Sequence, residues 1–187
     1  MCYTTKRRIA DCVKNLAIRK EIRKITLSDI LNETHMSRQS FYYYFKDIYD
    51  VLEWIVTNDL VPVLEYDEEK DFESWILNIF KEIEVQRAFL ERVIGELPWN
   101  TIITYVKHPV ERSFMKFYSA NISKLTFQKK IAHGCEYFAE TFCYYLMNYV
   151  ASRKKYNEIE ILSNLESVKL MLTHVIKEAR GNVVYSA

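Results

Sequence analysis

Glycine and proline number only three each in 187 residues. All-β and loop-rich folds need these residues at their turns, so their scarcity excludes such folds and leaves an all-helical chain. It also leaves few places where a backbone can close tightly on a ligand. The chain carries no Gly-rich phosphate loop, no nucleophile elbow, no HExxH and no paired-carboxylate motif, so neither an enzyme nor a cofactor is expected. No run approaches the roughly 20 apolar residues of a membrane span, and the polar start from Thr4 to Arg8 is not followed by an apolar signal core. The expectation is a cytoplasmic protein without a membrane partner. The four cysteines (Cys2, Cys12, Cys135, Cys143) form no CxxC pair, and His108 and His133 have no partner at ligand spacing. Buried thiols and no metal site are expected.

What the chain does have is apolar bulk, 49% of residues, with 14% aromatic. Its net charge of +1 conceals a lopsided distribution. Residues 1–46 hold ten Lys/Arg against four acids, a surplus of six positive charges, which leaves the remainder with five more acids than bases. A basic head on an acidic body suits a protein whose N-terminal end meets a polyanion, because neutralising phosphates releases counterions. A solvated basic face would show the same imbalance.

Ile9, Val13, Leu16 and Ala17 repeat at helical spacing and define a first helix. Thr26 stands three residues before Asp29, a start signal of capping-box type for a second helix over about Leu27 to Glu33. Ser37 is a good N-cap for a very short third helix, in which Phe41 and Phe45 share a face. Two short helices joined by a three-residue turn read as a helix-turn-helix. Asp47 starts a fourth, with Val51, Leu52, Ile55, Val56 and Leu60 along one side as far as Pro62.

The stretch from Pro62 to Lys70 reads as a linker. Beyond it the spacing predicts a helix from Asp71 with Phe72 to Ile83 on its apolar face, and a shorter one carrying Phe89 to Ile94. A helical stretch from Trp99 to Lys124 follows, interrupted before Pro109, and then two long helices over about Phe127 to Ser152 and Glu158 to Glu178. The implied organisation is a head over 1–46, a connecting helix over 47–64, a body over 65–180 and a tail over 181–187.

The block ITLSDILNETHMSRQSFYYYFKDIYDVLEWI resembles the DNA-binding head of the TetR family of transcription regulators. Ile25, Thr26, Ile30, Ser37, Phe41, Tyr42, Phe45 and Asp47 stand where that family's pattern has them. The match covers about a quarter of the chain. The aromatic-rich body looks most like the branch that includes regulators of dihydroxyacetone kinase operons. Two positions depart from the pattern: His35 replaces the usual turn glycine, and Ile48 replaces a lysine at the start of the fourth helix.

The resemblance implies double-stranded DNA as partner. A recognition helix lays its first residues against base edges, so Arg38, Gln39 and Ser40 are candidates for reading sequence. Tyr42, Tyr43 and Tyr44 supply hydroxyls to the same surface, the resemblance placing Tyr42 and Tyr44 on the phosphate backbone, while Ser37 and Thr26 sit at helix starts where a phosphate binds and Lys46 adds a charge. For the body the resemblance implies a homodimer built from the last two helices, with Phe142, Leu146, Leu162, Leu165, Val168, Leu172 and Val175 as interface candidates. Trp75, Phe80, Phe89, Phe114, Tyr118, Phe138 and Tyr145 either line an effector cavity or fill the core. The expected function is a repressor that binds a palindromic operator as a homodimer, with its affinity modulated by a small-molecule or protein effector bound in the body. The alternative is a TetR-shaped adaptor or activator that takes its signal from a partner protein.

Overall fold

The computed structural model describes residues 2–67, 69, 71–119 and 125–166, and every described element is helical. Helix α1 (Cys2–Arg19) and a 3-10 turn (Ile22–Lys24) lead into α2 (Leu27–Thr34), α3 (Arg38–Tyr44) and α4 (Ile48–Ile55). A π turn (Val56–Leu60) joins α4 to the short α5 (Val61–Leu64). The body follows as α6 (Phe72–Glu96), α7 (Trp99–Ser119) and α8 (Leu125–Ala151), then a helix α9 over 158–166. The all-helical class expected from composition is the class observed.

Two buried clusters organise these elements. The first gathers Ile9, Val13, Leu16 and Ala17 of α1 with Ile30, Phe41, Phe45, Val51, Leu52 and Ile55, the apolar faces read from the sequence. It also takes in Phe89, Leu90 and Val93 of α6 and Val150 of α8, so the head's core is completed by the body. The second cluster lies within the body, where α6, α7 and α8 pack around Trp75, Phe80, Phe114, Ala139 and Phe142.

Three expectations about the body and its connection change. The segment from Phe72 to Glu96 is one helix of 25 residues, because Glu84 to Ala88 contains no breaker and keeps the helix in phase. Helix α7 runs through Pro109 without interruption. The ring is buried against the body, and that packing offsets the amide donor proline withholds from the turn before it. The fourth helix is regular only to Ile55 and then widens into the π turn, so the connection to the body is not one uniform rod. The segment after Pro62 is tied down as well: Ser113 Oγ donates to the Leu64 carbonyl at 2.9 Å and accepts from the Tyr66 amide at 2.8 Å.

Cys12, Cys135 and Cys143 are free, buried thiols, as expected. Desolvation raises all three, Cys12 to about 11 and the other two to about 12, so none is a thiolate nucleophile at neutral pH.

Candidate nucleic-acid interface

The geometry of α2 and α3 is set by caps that the sequence encodes. Thr26 is the N-cap of α2: its Oγ accepts from the Asp29 amide at 3.2 Å, while the Asp29 carboxylate accepts from the Thr26 amide at 2.6 Å. Lys20 pairs with the same carboxylate. Lys20 and then the Thr26 hydroxyl and amide hold Asp29 well below the usual carboxylate range. The Thr26 hydroxyl also donates to Asp29 at 2.7 Å.

Helix α2 ends at His35, whose backbone lies in the left-handed region at φ 50 and ψ 37. Histidine tolerates this better than most residues, and the turn survives without the glycine. Ser37 then caps α3, accepting from the Ser40 amide at 3.1 Å and sharing a hydroxyl contact with Ser40 at 2.9 Å.

Helix α3 is seated by two rings. Phe41 and Phe45 are 1% and 2% exposed and stand 6.2 Å apart, and Phe45 meets Trp54 edge-on. That anchorage turns the rest of the helix outward. Arg38, Gln39 and Ser40 are exposed, Tyr42 and Tyr43 are 53% and 81% exposed, and Tyr44 is half-buried with its ring edge-on to Tyr43 at 4.9 Å. Exposed aromatics at this density on a seven-residue helix are not packing residues, because the face that packs is already occupied by Phe41 and Phe45. Ile48, where a lysine was expected, packs instead against the head's core.

The charge of the head sorts into two groups. Arg7 and Lys14 pair with Asp59, Arg19 with Glu33, Lys20 with Asp29, and Arg23 and Lys24 with Glu21. Among the described residues the head's cations without an ion pair are Lys6, Arg8, Arg38 and Lys46. Arg38 opens α3 and Lys46 follows its end, so the exposed helix is bracketed by uncompensated positive charge. Lys6 lies over the Phe45 ring, 5.1 Å from its centre.

The body's candidates are placed differently. Trp75, Phe80, Phe114 and Tyr118 are buried in the body's core and Phe89 in the head's, so these five fill cores rather than line a cavity. Phe138 and Tyr145 border a groove between α8 and α9 with Phe142 and Leu165. A partly open apolar pocket of about 90 Å³ lies elsewhere, among Val56, Leu60, Ile79, Val93, Val106 and Leu146. Aliphatic residues form it, which is why a search for aromatics missed it. Of the dimer candidates, Phe142, Leu146 and Leu165 are buried within one protomer and Leu162 is half-buried. Val168, Leu172 and Val175 lie outside the described residues, as does the tail over 181–187.

No protein-family model matches the chain. A curated relative is the HTH-type dhaKLM operon transcriptional activator DhaS of Lactococcus lactis subsp. lactis (strain IL1403), 26% identical over 92 residues. That match spans 48% of this chain and 48% of the relative, about half of each. A solved structure, the dihydroxyacetone kinase operon activator DhaS, superposes with a TM-score of 0.66 at 18% identity, covering 91% of this chain and 96% of that one. The fold is the TetR-like fold of DhaS. Both matches carry the name DhaS, an operon activator.

Proposed function

We propose that this chain is a sequence-specific DNA-binding transcription regulator. The observation that carries the reading is α3: a short, capped helix held from below by Phe41 and Phe45, with its outer face exposed and an unpaired cation at each end. Arg38 is suited to bidentate contact with guanine and Gln39 with adenine, while Ser40 reaches a neighbouring base edge. Tyr42, Tyr43 and Lys46 address phosphates, and Ser37 holds the helix start in register. Tyr44, packed in part against the head's core and edge-on to Tyr43, contributes its hydroxyl at the edge of the same surface.

The chain acts as a homodimer on a palindromic operator, since two recognition helices must stand about 34 Å apart to enter successive major grooves on one face of DNA. Residues 1–46 serve as the head, 47–64 as the connection and 65–180 as the effector and dimerisation body, in the cytoplasm. The curated relative DhaS is named an activator, which favours activation over the repression expected from the family pattern. The signal reaches the body from a partner protein or a small apolar molecule. Support for the latter comes from the partly open pocket of about 90 Å³ lined mainly by apolar side chains.

The test is a gel shift of the full chain at graded salt on mixed-sequence duplex and on duplex from the promoter regions neighbouring its gene. Affinity that falls steeply with salt and differs between the two duplexes supports the reading. Weak, salt-insensitive binding that is equal for both overturns it.

A further inference from the structure

The stripe of α4 that packs inward runs Val51, Leu52, Ile55 and Val56. The next position at helical spacing is Asp59, where the pattern calls for an apolar residue. Its side chain is only 9% exposed and both of its oxygens are engaged. Arg7 Nη1 reaches Oδ1 at 2.5 Å and Lys14 Nζ reaches Oδ2 at 3.0 Å, both from α1. Lys14 also donates to Gln86 Oε1 on α6 at 2.8 Å and lies over the Phe89 ring. Arg7 stacks over Trp54, 4.8 Å from its centre, and donates to the Tyr3 hydroxyl at 3.1 Å. One carboxylate thus joins α1, the π turn and α6.

Its position gives this junction a directional consequence. Asp59 belongs to the π turn, and π turns recur at functional sites because the extra residue per turn re-aims side chains. Val56 and Leu60 of the same turn line the apolar pocket. Helix α1 carries Ile9, Val13 and Leu16, which share a core with Phe41 and Phe45 of the recognition helix. Any change in the packing of the π turn is therefore delivered to α3 through Asp59 and α1 as well as along α4.

We propose that Asp59 is a positioning residue for DNA recognition, holding α1, and with it α3, in the orientation that matches the groove. The reference to DNA rests on the function proposed above. Removing the carboxylate leaves half-buried Lys14 without a counter-charge and Arg7 with only its longer pair to Asp11 at 4.0 Å, which favours movement of α1 away from the π turn.

The test uses the full chain and Asp59→Asn, which keeps the shape and removes the charge, with Asp59→Glu as a variant that retains the charge one methylene further out. Amide hydrogen exchange over residues 3–17 should quicken at least tenfold in Asp59→Asn while exchange in α8 stays unchanged. On duplexes selected from a random pool by the wild-type chain, the preference over mixed-sequence duplex should fall at least tenfold, with salt-dependent binding to mixed duplex kept. Asp59→Glu should recover part of both. A lower melting temperature with wild-type preference between duplexes marks Asp59 as merely structural and overturns the proposal, as does wild-type exchange in α1. If the wild-type chain selects no duplex, the proposed function fails. The exchange rates of α1 then decide the junction alone: quickening supports it, and no change overturns it.

Discussion

Phe41 and Tyr43 are two residues apart on α3, yet one is 1% and the other 81% exposed, and the account requires opposite responses from them. Phe41→Ala removes a ring from the contact with Phe45 and leaves a cavity in the head's core, at about 3–5 kcal/mol for a buried phenylalanine. At about 2–4 °C per kcal/mol for a chain of this size, the melting temperature falls by roughly 6–20 °C. Tyr43→Ala removes a ring whose contact is the edge of Tyr44, so its cost stays below about 1 kcal/mol and the melting temperature moves by less than about 4 °C. DNA binding reverses the order of importance. A tyrosine hydroxyl on a phosphate is a hydrogen bond to a charged group worth about 1.5–3 kcal/mol, so Tyr43→Ala weakens binding to a selected duplex by roughly 10- to 150-fold while remaining folded. Melting followed by circular dichroism and binding followed by fluorescence anisotropy measure the two effects separately. Equal destabilisation by both substitutions would refute the outward orientation of α3, and wild-type affinity in Tyr43→Ala would refute its contact role.

Arg38→Ala should relax base preference at one position of each half-site at about 1–3 kcal/mol, whereas Lys46→Ala should weaken all sequences alike and make the salt dependence shallower by about one phosphate; binding to a panel of single-base variants at several salt concentrations separates them. Lys20 and Thr26 depress Asp29, so its contribution is fully present above the unfolded carboxylate value near pH 4 and is lost as pH falls below it. Asp29→Ala should cost on the order of 1 kcal/mol at pH 7, and denaturant titrations should show the gap from wild type closing between about pH 4 and 2. His35→Gly should stabilise the chain by about 0.5–1 kcal/mol, because glycine carries no penalty in the left-handed region. Loss of stability there would show that the His35 ring makes a contact outweighing the backbone strain.

The head was readable from sequence almost to the residue because every signal in it is local. Thr26, Ser37 and Asp47 are caps, each made by a side chain bonding an amide three residues on. Phe41 and Phe45 were separable from Tyr42 and Tyr43 by helical spacing alone. What the sequence did not disclose depends on contacts between distant segments. The ion pairs that engage six of the head's cations are one example, and only when they are set aside do Arg38 and Lys46 stand out. Asp59 is another: it breaks an apolar stripe, a visible anomaly, but its meaning lies in Arg7 and Lys14, 52 and 45 residues away. Periodicity cannot tell a cavity wall from a packed wall. The body's aromatics therefore suited a pocket or a core equally, while the pocket formed mainly among aliphatic side chains on five different elements. Proline at 109 was given its usual weight as a breaker, and tertiary packing overrode it.

Selection of bound duplexes from a random pool by the full-length chain tests the central claim most directly. The account predicts enrichment of inverted repeats whose half-sites are one helical turn apart, with guanine preferred at the position that Arg38→Ala relaxes. A pool that remains random after repeated rounds, or enrichment that Arg38→Ala leaves untouched, would contradict it.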